Sequence, residues 1–286
     1  MTPERSPLNA APIGVFDSGV GGLSVWREIL RVLPHESTLY LADQAHVPYG
    51  GRSAQEVAAL THAAVSWLLE QGAKLIVIAC NTASAAALTS LRQRWPDVPI
   101  VGMEPAIKPA SQATKTGSVA VLATPGTLRA PRFSSLVKRF ANGVQVYTLM
   151  GAGLVEMVER NELDGPAVEE RLQQIMAPVQ DIAIDHLVLG CTHFPFLSDA
   201  IQKVVGGNVT LVDPAPAVAR QARRVLQNRQ LQNKNAGPVS WRFVTTGDLP
   251  AFQSATERLI GDILASAENR LNFQAWTNNQ LQFSGA

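Results

Sequence analysis

Cysteine occurs only twice in 286 residues, at Cys80 and Cys191. Two thiols are too few for a four-ligand structural zinc site and far too few for the disulfide framework of a small secreted domain. Charge is also scarce: 16% of residues are charged, and the formal net charge is +1. Such a balance gives no drive toward nucleic acid or anionic membranes. No apolar run is long enough to span a bilayer, and Met1–Pro12 lacks the continuous apolar stretch of a signal peptide. These absences point to a cytoplasmic enzyme, a compartment where a cysteine pair is more often catalytic or free than disulfide-bonded.

What the chain does have is apolar residues, 46% of the total, enough to core one large or two medium domains. Strand-like runs recur at Ile13–Asp17, Leu39–Ala42, Leu75–Ala79, Pro99–Gly102, Val119–Ala123, Val144–Leu149, Leu187–Gly190, Val209–Val212 and Trp241–Thr245. They are continuously apolar rather than alternating, as expected of strands covered on both faces of a parallel sheet. Helix-like stretches lie between them, at Leu23–Leu33, Ser53–Gln71, Ala83–Arg94, Leu128–Phe140, Pro166–Ile182, Leu197–Val205 and Ala215–Gln232. This alternation predicts an α/β fold.

The two cysteines end near-identical phrases, Leu75-Ile76-Val77-Ile78-Ala79-Cys80-Asn81-Thr82 and Leu187-Val188-Leu189-Gly190-Cys191-Thr192-His193. Each follows a strand end with a Gly-bearing loop, Asp17-Ser18-Gly19 in one half and Thr124-Pro125-Gly126 in the other. Cys80 trails Asp17 by 63 positions and Cys191 trails Thr124 by 67. The coarse repeat predicts two similar domains, each a mostly parallel sheet flanked by helices, with the active site in the cleft between them. The chain is expected to cross near Met103–Pro109 and return near Gly206–Pro216. The boundaries read as 13–104 with 212–286 for the first domain, 105–211 for the second, and 1–12 as an N-terminal extension. The tail from Ala267 to Ala286, rich in Asn and Gln, supports no functional reading.

In parallel α/β sheets, ligands bind beyond the carboxyl ends of the strands, where both cysteines fall. Each precedes a helix, whose N-terminal amides favour a nearby anion and would lower a thiol pKa. Asn81 or Thr82 is the expected cap of the helix after Cys80, and Pro195 suits a first helical turn. The competing reading makes both cysteines small buried hydrophobes. Asp17-Ser18-Gly19-Val20-Gly21-Gly22 can bring backbone amides close to an anion. It also partly matches a dinucleotide fingerprint, with Asp43 as the ribose acid, although the sixth position is Ser24 rather than Gly or Ala. Tyr49 and Gly50, in the loop after the second strand, could line a cleft. His193 shares its loop with Cys191 and could tune that thiol. Glu156 and Glu159 share a face of one helix, and solvated surface is the plainer reading for at least one of them.

Together, Phe16-Asp17-Ser18-Gly19-Val20-Gly21-Gly22, Pro48-Tyr49-Gly50, Ala79-Cys80-Asn81-Thr82-Ala83-Ser84, Leu122-Ala123-Thr124, Leu189-Gly190-Cys191-Thr192-His193-Phe194-Pro195 and Leu211-Val212-Asp213 resemble the glutamate racemases, within the cofactor-independent aspartate/glutamate racemase superfamily. The resemblance implies interconversion of L- and D-glutamate by two cysteines, supplying D-glutamate for peptidoglycan. It implies no cofactor and no metal. Cys80 would act on the D-isomer, assisted by Asp17, and Cys191 on the L-isomer, assisted by His193. Asp17, Ser18, Tyr49, Gly50, Asn81, Thr82, Thr124, Thr192 and His193 would bind substrate. Neither membrane nor nucleic acid is required. A peptidoglycan-precursor activator, as in some enteric-type relatives, and the choice between monomer and homodimer stay open.

Overall fold

The structure, a computed structural model, describes residues 8–234, 237–265 and 270–276. The chain opens with β1 (Ile13–Asp17), α1 (Leu23–Val32), β2 (Thr38–Ala42), α2 (Ala54–Glu70), β3 (Leu75–Ile78), α3 (Asn81–Arg94) and β4 (Ile100–Gly102). It continues through α4 (Ile107–Ala113), β5 (Ser118–Ala123), α5 (Pro125–Arg129), α6 (Pro131–Phe140), β6 (Gln145–Met150), α7 (Leu154–Glu159), α8 (Pro166–Met176), β7 (His186–Gly190), α9 (Ser198–Val205) and β8 (Thr210–Val212). It closes with α10 (Ala215–Asn228), β9 (Trp241–Thr245), α11 (Leu249–Leu264) and β10 (Leu271–Ala275).

Two parallel sheets form, with orders β10-β9-β2-β1-β3-β4 and β6-β5-β7-β8. The strands β1, β2 and β3 are buried along their whole length, which explains their unbroken apolar runs. One face of the first sheet packs Ile13, Val15, Tyr40 and Val77 against α1, α10 and α11. The other packs Phe16, Leu39, Leu41 and Ile76 against α2 and α3. Trp26 of α1 anchors the first face, edge-on to Trp241 at 5.3 Å and to Phe243 at 5.0 Å. Such aromatic pairs add about 0.5–1.5 kcal/mol beyond area burial.

The coarse repeat has a simple geometric meaning. In the first sheet the strand before the glycine loop, β1, lies beside the cysteine strand, β3, with Phe16 opposite Ile78. In the second, β5 lies beside β7, with Ala123 opposite Gly190. Each half thus sets a Gly-bearing segment and a thiol side by side at the carboxyl ends of two adjacent strands.

Several local expectations change. The helix expected over Leu128–Phe140 is two, α5 and α6, broken at Ala130, because Pro131 disfavours helical geometry in the residue before it. Similarly, α8 stops at Met176, and a 3-10 turn with Pro178 follows. The strand β6 is an exception to two-sided cover: Gln145, Thr148 and Met150 are exposed at the sheet edge. Two elements were not foreseen. Helix α11 packs Phe252 and Ile260 into the core, and β10 extends the first sheet from within the tail. The remainder of that tail, 277–286, and residues 1–7 of the N-terminal extension lie outside the described residues. No helix among the described residues is long and apolar enough to cross a membrane.

Candidate active site

Four strand ends converge. From β1 come Asp17 and Ser18, from β3 Cys80, from β5 Thr124, and from β7 Cys191, Thr192 and His193. These seven, together with Asn81 and Thr82, are at most 6% exposed, so the cleft is closed and its polar groups are desolvated.

Cys80 itself caps α3: its Sγ accepts from the Ala83 amide at 3.4 Å. The expectation that Asn81 or Thr82 caps this helix is therefore corrected, since both lie in its first turn. The thiol in turn donates to Ser18 Oγ at 3.8 Å. The expected lowering of this pKa fails too. Burial, reinforced by the charge of Asp17, pushes the Cys80 thiol up to about 12. One amide bond does not offset the removal of the thiolate from water. The charge of Cys191 raises it further, so the two sulfurs share one electrostatic site.

Asp17 binds both halves. Its Oδ1 accepts from the Gly19 amide at 2.9 Å and its Oδ2 from Thr192 Oγ1 at 3.0 Å. Burial raises its carboxyl to about 6, against the opposing pull of His193. Ser24 Oγ, on α1, meets the Thr192 carbonyl at 2.9 Å. Thr82 and Thr124 join their hydroxyls across the cleft at 2.9 Å. Both side-chain polar atoms of buried Asn81 have no hydrogen-bond partner among the described residues. Leaving a buried amide unpaired costs about 1–3 kcal/mol per group, so Asn81 is arranged for a polar ligand.

At the second thiol, His193 Nδ1 lies 3.7 Å from Cys191 Sγ, and its Nε2 donates to Glu159 Oε1 at 2.7 Å. Burial opposes a charged ring, but Cys191 and Glu159 outweigh it and hold the imidazolium well above its usual range. Glu159 is buried as well, yet His193, Gln44 and the Val20 amide keep it ionised. Glu159 is the site residue that sequence reasoning left undecided. Its partners Val20 and Gln44 lie 139 and 115 positions away, and no local pattern encodes them.

Tyr49 and Gly50 also reach the cleft. Gly50 abuts Thr124, where a Cβ would meet the threonine Cβ at 2.8 Å. Tyr49 donates to Asp43 Oδ2 at 2.6 Å. Asp43 further accepts from Thr246 Oγ1 at 2.7 Å and contacts His46 Nδ1 at 2.8 Å. Its oxygens are committed, and Asp17 occupies the Gly19 amide. The dinucleotide reading fails on both counts, because neither a ribose acid nor a free phosphate loop remains. Among the described residues, no group of three or more His, Cys, Asp or Glu is placed to hold a metal ion.

This geometry has close relatives. The family model for Asp/Glu/hydantoin racemase matches residues 13–222. The chain belongs to that family. A glutamate racemase of Ectopseudomonas mendocina is 48% identical over 252 residues, covering 88% of this chain and 95% of its own. The crystal structure of glutamate racemase from Francisella tularensis in complex with D-glutamate superposes with a TM-score of 0.81 at 27% identity, covering 95% of this chain and 99% of its own. The Escherichia coli glutamate racemase structure, in complex with L-glutamate and the activator UDP-MurNAc-Ala, gives a TM-score of 0.79 at 33% identity, covering 93% and 98%.

Proposed function

We infer that this chain is a cofactor-independent glutamate racemase, exchanging L- and D-glutamate through Cys80 and Cys191. The observation that carries the reading is the pair of buried thiols at matched strand ends around one closed polar cleft.

Racemisation removes a proton from one face of Cα and delivers one to the other. A thiolate is a competent base near neutral pH, and a thiol a usable acid. In this reading Cys191 takes the proton from L-glutamate and Cys80 returns one on the opposite face. For D-glutamate the roles reverse. The Cα proton is weakly acidic, so the developing negative charge must meet preorganised donors in a dry site. Asn81 Nδ2, Thr82, Thr124, Thr192 and Ser18 are the groups we assign to that task, with Tyr49 and the Gly50 amide at the far carboxylate. Asp17 attends the Cys80 side and the substrate amine. His193 holds charge beside Cys191.

The product supplies D-glutamate to peptidoglycan synthesis, in a cytoplasmic setting. We assign residues 13–104 with 212–286 to one domain and 105–211 to the other. The E. coli relative's complex supports a nucleotide-linked peptidoglycan precursor as an activator here, acting on a monomer or homodimer. The test is incubation of either glutamate isomer in D2O without cofactor. Interconversion with deuterium gained at Cα is expected, and Cys80→Ser and Cys191→Ser should each abolish turnover. Wild-type rates in either variant would remove the two-base assignment. Aspartate turning over as fast as glutamate would remove the substrate assignment.

A further inference from the structure

The last part of the chain, which had no diagnostic sequence pattern, reaches the second thiol through a line of hydrogen bonds. Gly247 N–H meets Thr245 Oγ1 at 3.0 Å, and Thr245 Oγ1 meets Gln44 Oε1 at 2.9 Å. Gln44 Nε2 meets Glu159 Oε2 at 2.8 Å, and Glu159 Oε1 meets His193 Nε2 at 2.7 Å. His193 Nδ1 then faces Cys191 Sγ at 3.7 Å. The line runs from β9 in the first sheet to the strand end of β7 in the second.

Its polarity is set at the start. A backbone N–H only donates, so Thr245 Oγ1 accepts from Gly247 and turns its own hydrogen to Gln44 Oε1. The amide of Gln44 must then present its NH2 to Glu159. An amide has two orientations of similar shape, and only its network selects one. Here the reverse orientation would face a carbonyl oxygen with a carboxylate. Meeting a donor on Oε2, and Val20 N–H and His193 Nε2 on Oε1, Glu159 is held as an acceptor. That fixes the proton on His193 Nε2 and turns Nδ1 to the thiol.

We propose that Thr245, acting through Gln44, is a positioning residue for proton transfer at Cys191. Neither side chain touches the sulfurs. Thr245 is fully buried, and its hydroxyl accepts from the Gly247 amide while donating its own hydrogen to Gln44. The inference rests on the racemase reading and on the assignment of Cys191 to the L-isomer.

The test uses the full chain with Thr245→Val, which keeps shape and loses the hydroxyl, and Thr245→Ser, which keeps the hydroxyl. Rates are measured with L- and D-glutamate, each with hydrogen or deuterium at Cα. L and D are equally stable, so kcat/KM must fall by one factor in both directions; we expect about tenfold, less than the roughly hundredfold or more of a whole acid–base group, because Thr245 acts through Gln44 and Glu159. The signature is lopsided isotope effects. The deuterium effect on kcat/KM should grow with L-glutamate, whose proton Cys191 removes, and shrink with D-glutamate. Thr245→Ser should recover most of the lost rate. If Thr245→Val does not fold, Gln44→Leu at the half-buried loop position must give the same lopsided pattern. Equal rates in the Val and Ser variants, or isotope effects unchanged in ratio, would overturn the inference while leaving the racemase reading intact. A wild-type chain without racemase activity would overturn both.

Discussion

Gly21 is a point where the two halves press close together. A Cβ built there would lie 2.2 Å from His193 Nδ1, 2.6 Å from His193 Cε1 and 2.6 Å from Thr192 Oγ1. The backbone at Gly21 is not left-handed, so alanine meets no conformational penalty and the substitution isolates the steric term. The neighbours have little freedom to yield. His193 is buried, tied to Glu159 on one side and facing Cys191 on the other. Thr192 is tied to Asp17 and, by its carbonyl, to Ser24. An added methylene in such packing costs about 1–3 kcal/mol. If the displacement falls on the catalytic loop, kcat/KM drops roughly 5- to 150-fold, at 1.36 kcal/mol per factor of ten. Gly51→Ala is the matched control, since nothing lies within 4 Å of its added Cβ. Racemisation followed by circular dichroism, together with urea unfolding, measures both terms. Gly21→Ala turning over at the rate of Gly51→Ala would refute the claim that this glycine exists to admit the loop bearing His193.

The pH dependence of stability should carry the mark of Asp17. Its native carboxyl titrates near 6 against 3.8 for the free group. The native state therefore binds more protons between those values, and stability falls as pH rises through that window, by up to about 3 kcal/mol. Asp17→Asn lacks this slope, so urea midpoints from about pH 4 to about pH 7 should diverge from wild type toward the upper end; parallel curves would show that Asp17 is not strained. Glu36 and Lys74 form a buried ion pair that also binds Asn9 and Asn233. Glu36→Gln strands the ammonium and should cost about 3–5 kcal/mol by chemical denaturation, whereas replacing both partners with apolar residues should cost much less. Tyr49→Phe leaves an Asp43 oxygen unpaired in the interior, a loss of about 1–3 kcal/mol. Because that bond also holds the loop at Gly50, KM should rise more than kcat falls, and an unchanged KM would separate the loop from substrate binding.

How much of this was legible in the sequence follows from how far each feature reaches along the chain. The strands β1, β3, β5 and β7 were readable because burial on both faces forces unbroken apolar runs. With them came the four loops and the thiols, since strand ends and following helices are local. The edge strand β10 was not readable, because Leu271–Ala275 alternates apolar and polar residues and is only half covered. Its place is decided by Phe273, which stacks on Phe243 at 5.0 Å. The capping role of Cys80 was missed because sulfur is a poor capping type by preference, and here tertiary structure overrides that preference. The pKa of Cys80 was misjudged in sign, because helix position is local whereas desolvation depends on everything packed around it. Gln44 and Thr245 were invisible, and Glu159 stayed undecided, for the same reason, their bonds spanning more than 100 positions.

The two thiols are unlike, and thermodynamics limits what that difference can do. L- and D-glutamate have equal free energies, so no arrangement of residues can make one direction more efficient in kcat/KM. The asymmetry can only divide the barrier between the two proton transfers. Cys80 sits desolvated near a carboxyl that is itself raised to about 6. Such a sulfur ionises reluctantly and is a strong base once it has done so. Cys191 instead faces the Nδ1 of His193 at 3.7 Å, an imidazolium that Glu159 holds charged. In the two-base reading each sulfur must be the base for one isomer and the acid for the other, so the departure from symmetry around the matched phrases sets how unequal the two proton transfers are and leaves kcat/KM common to both directions.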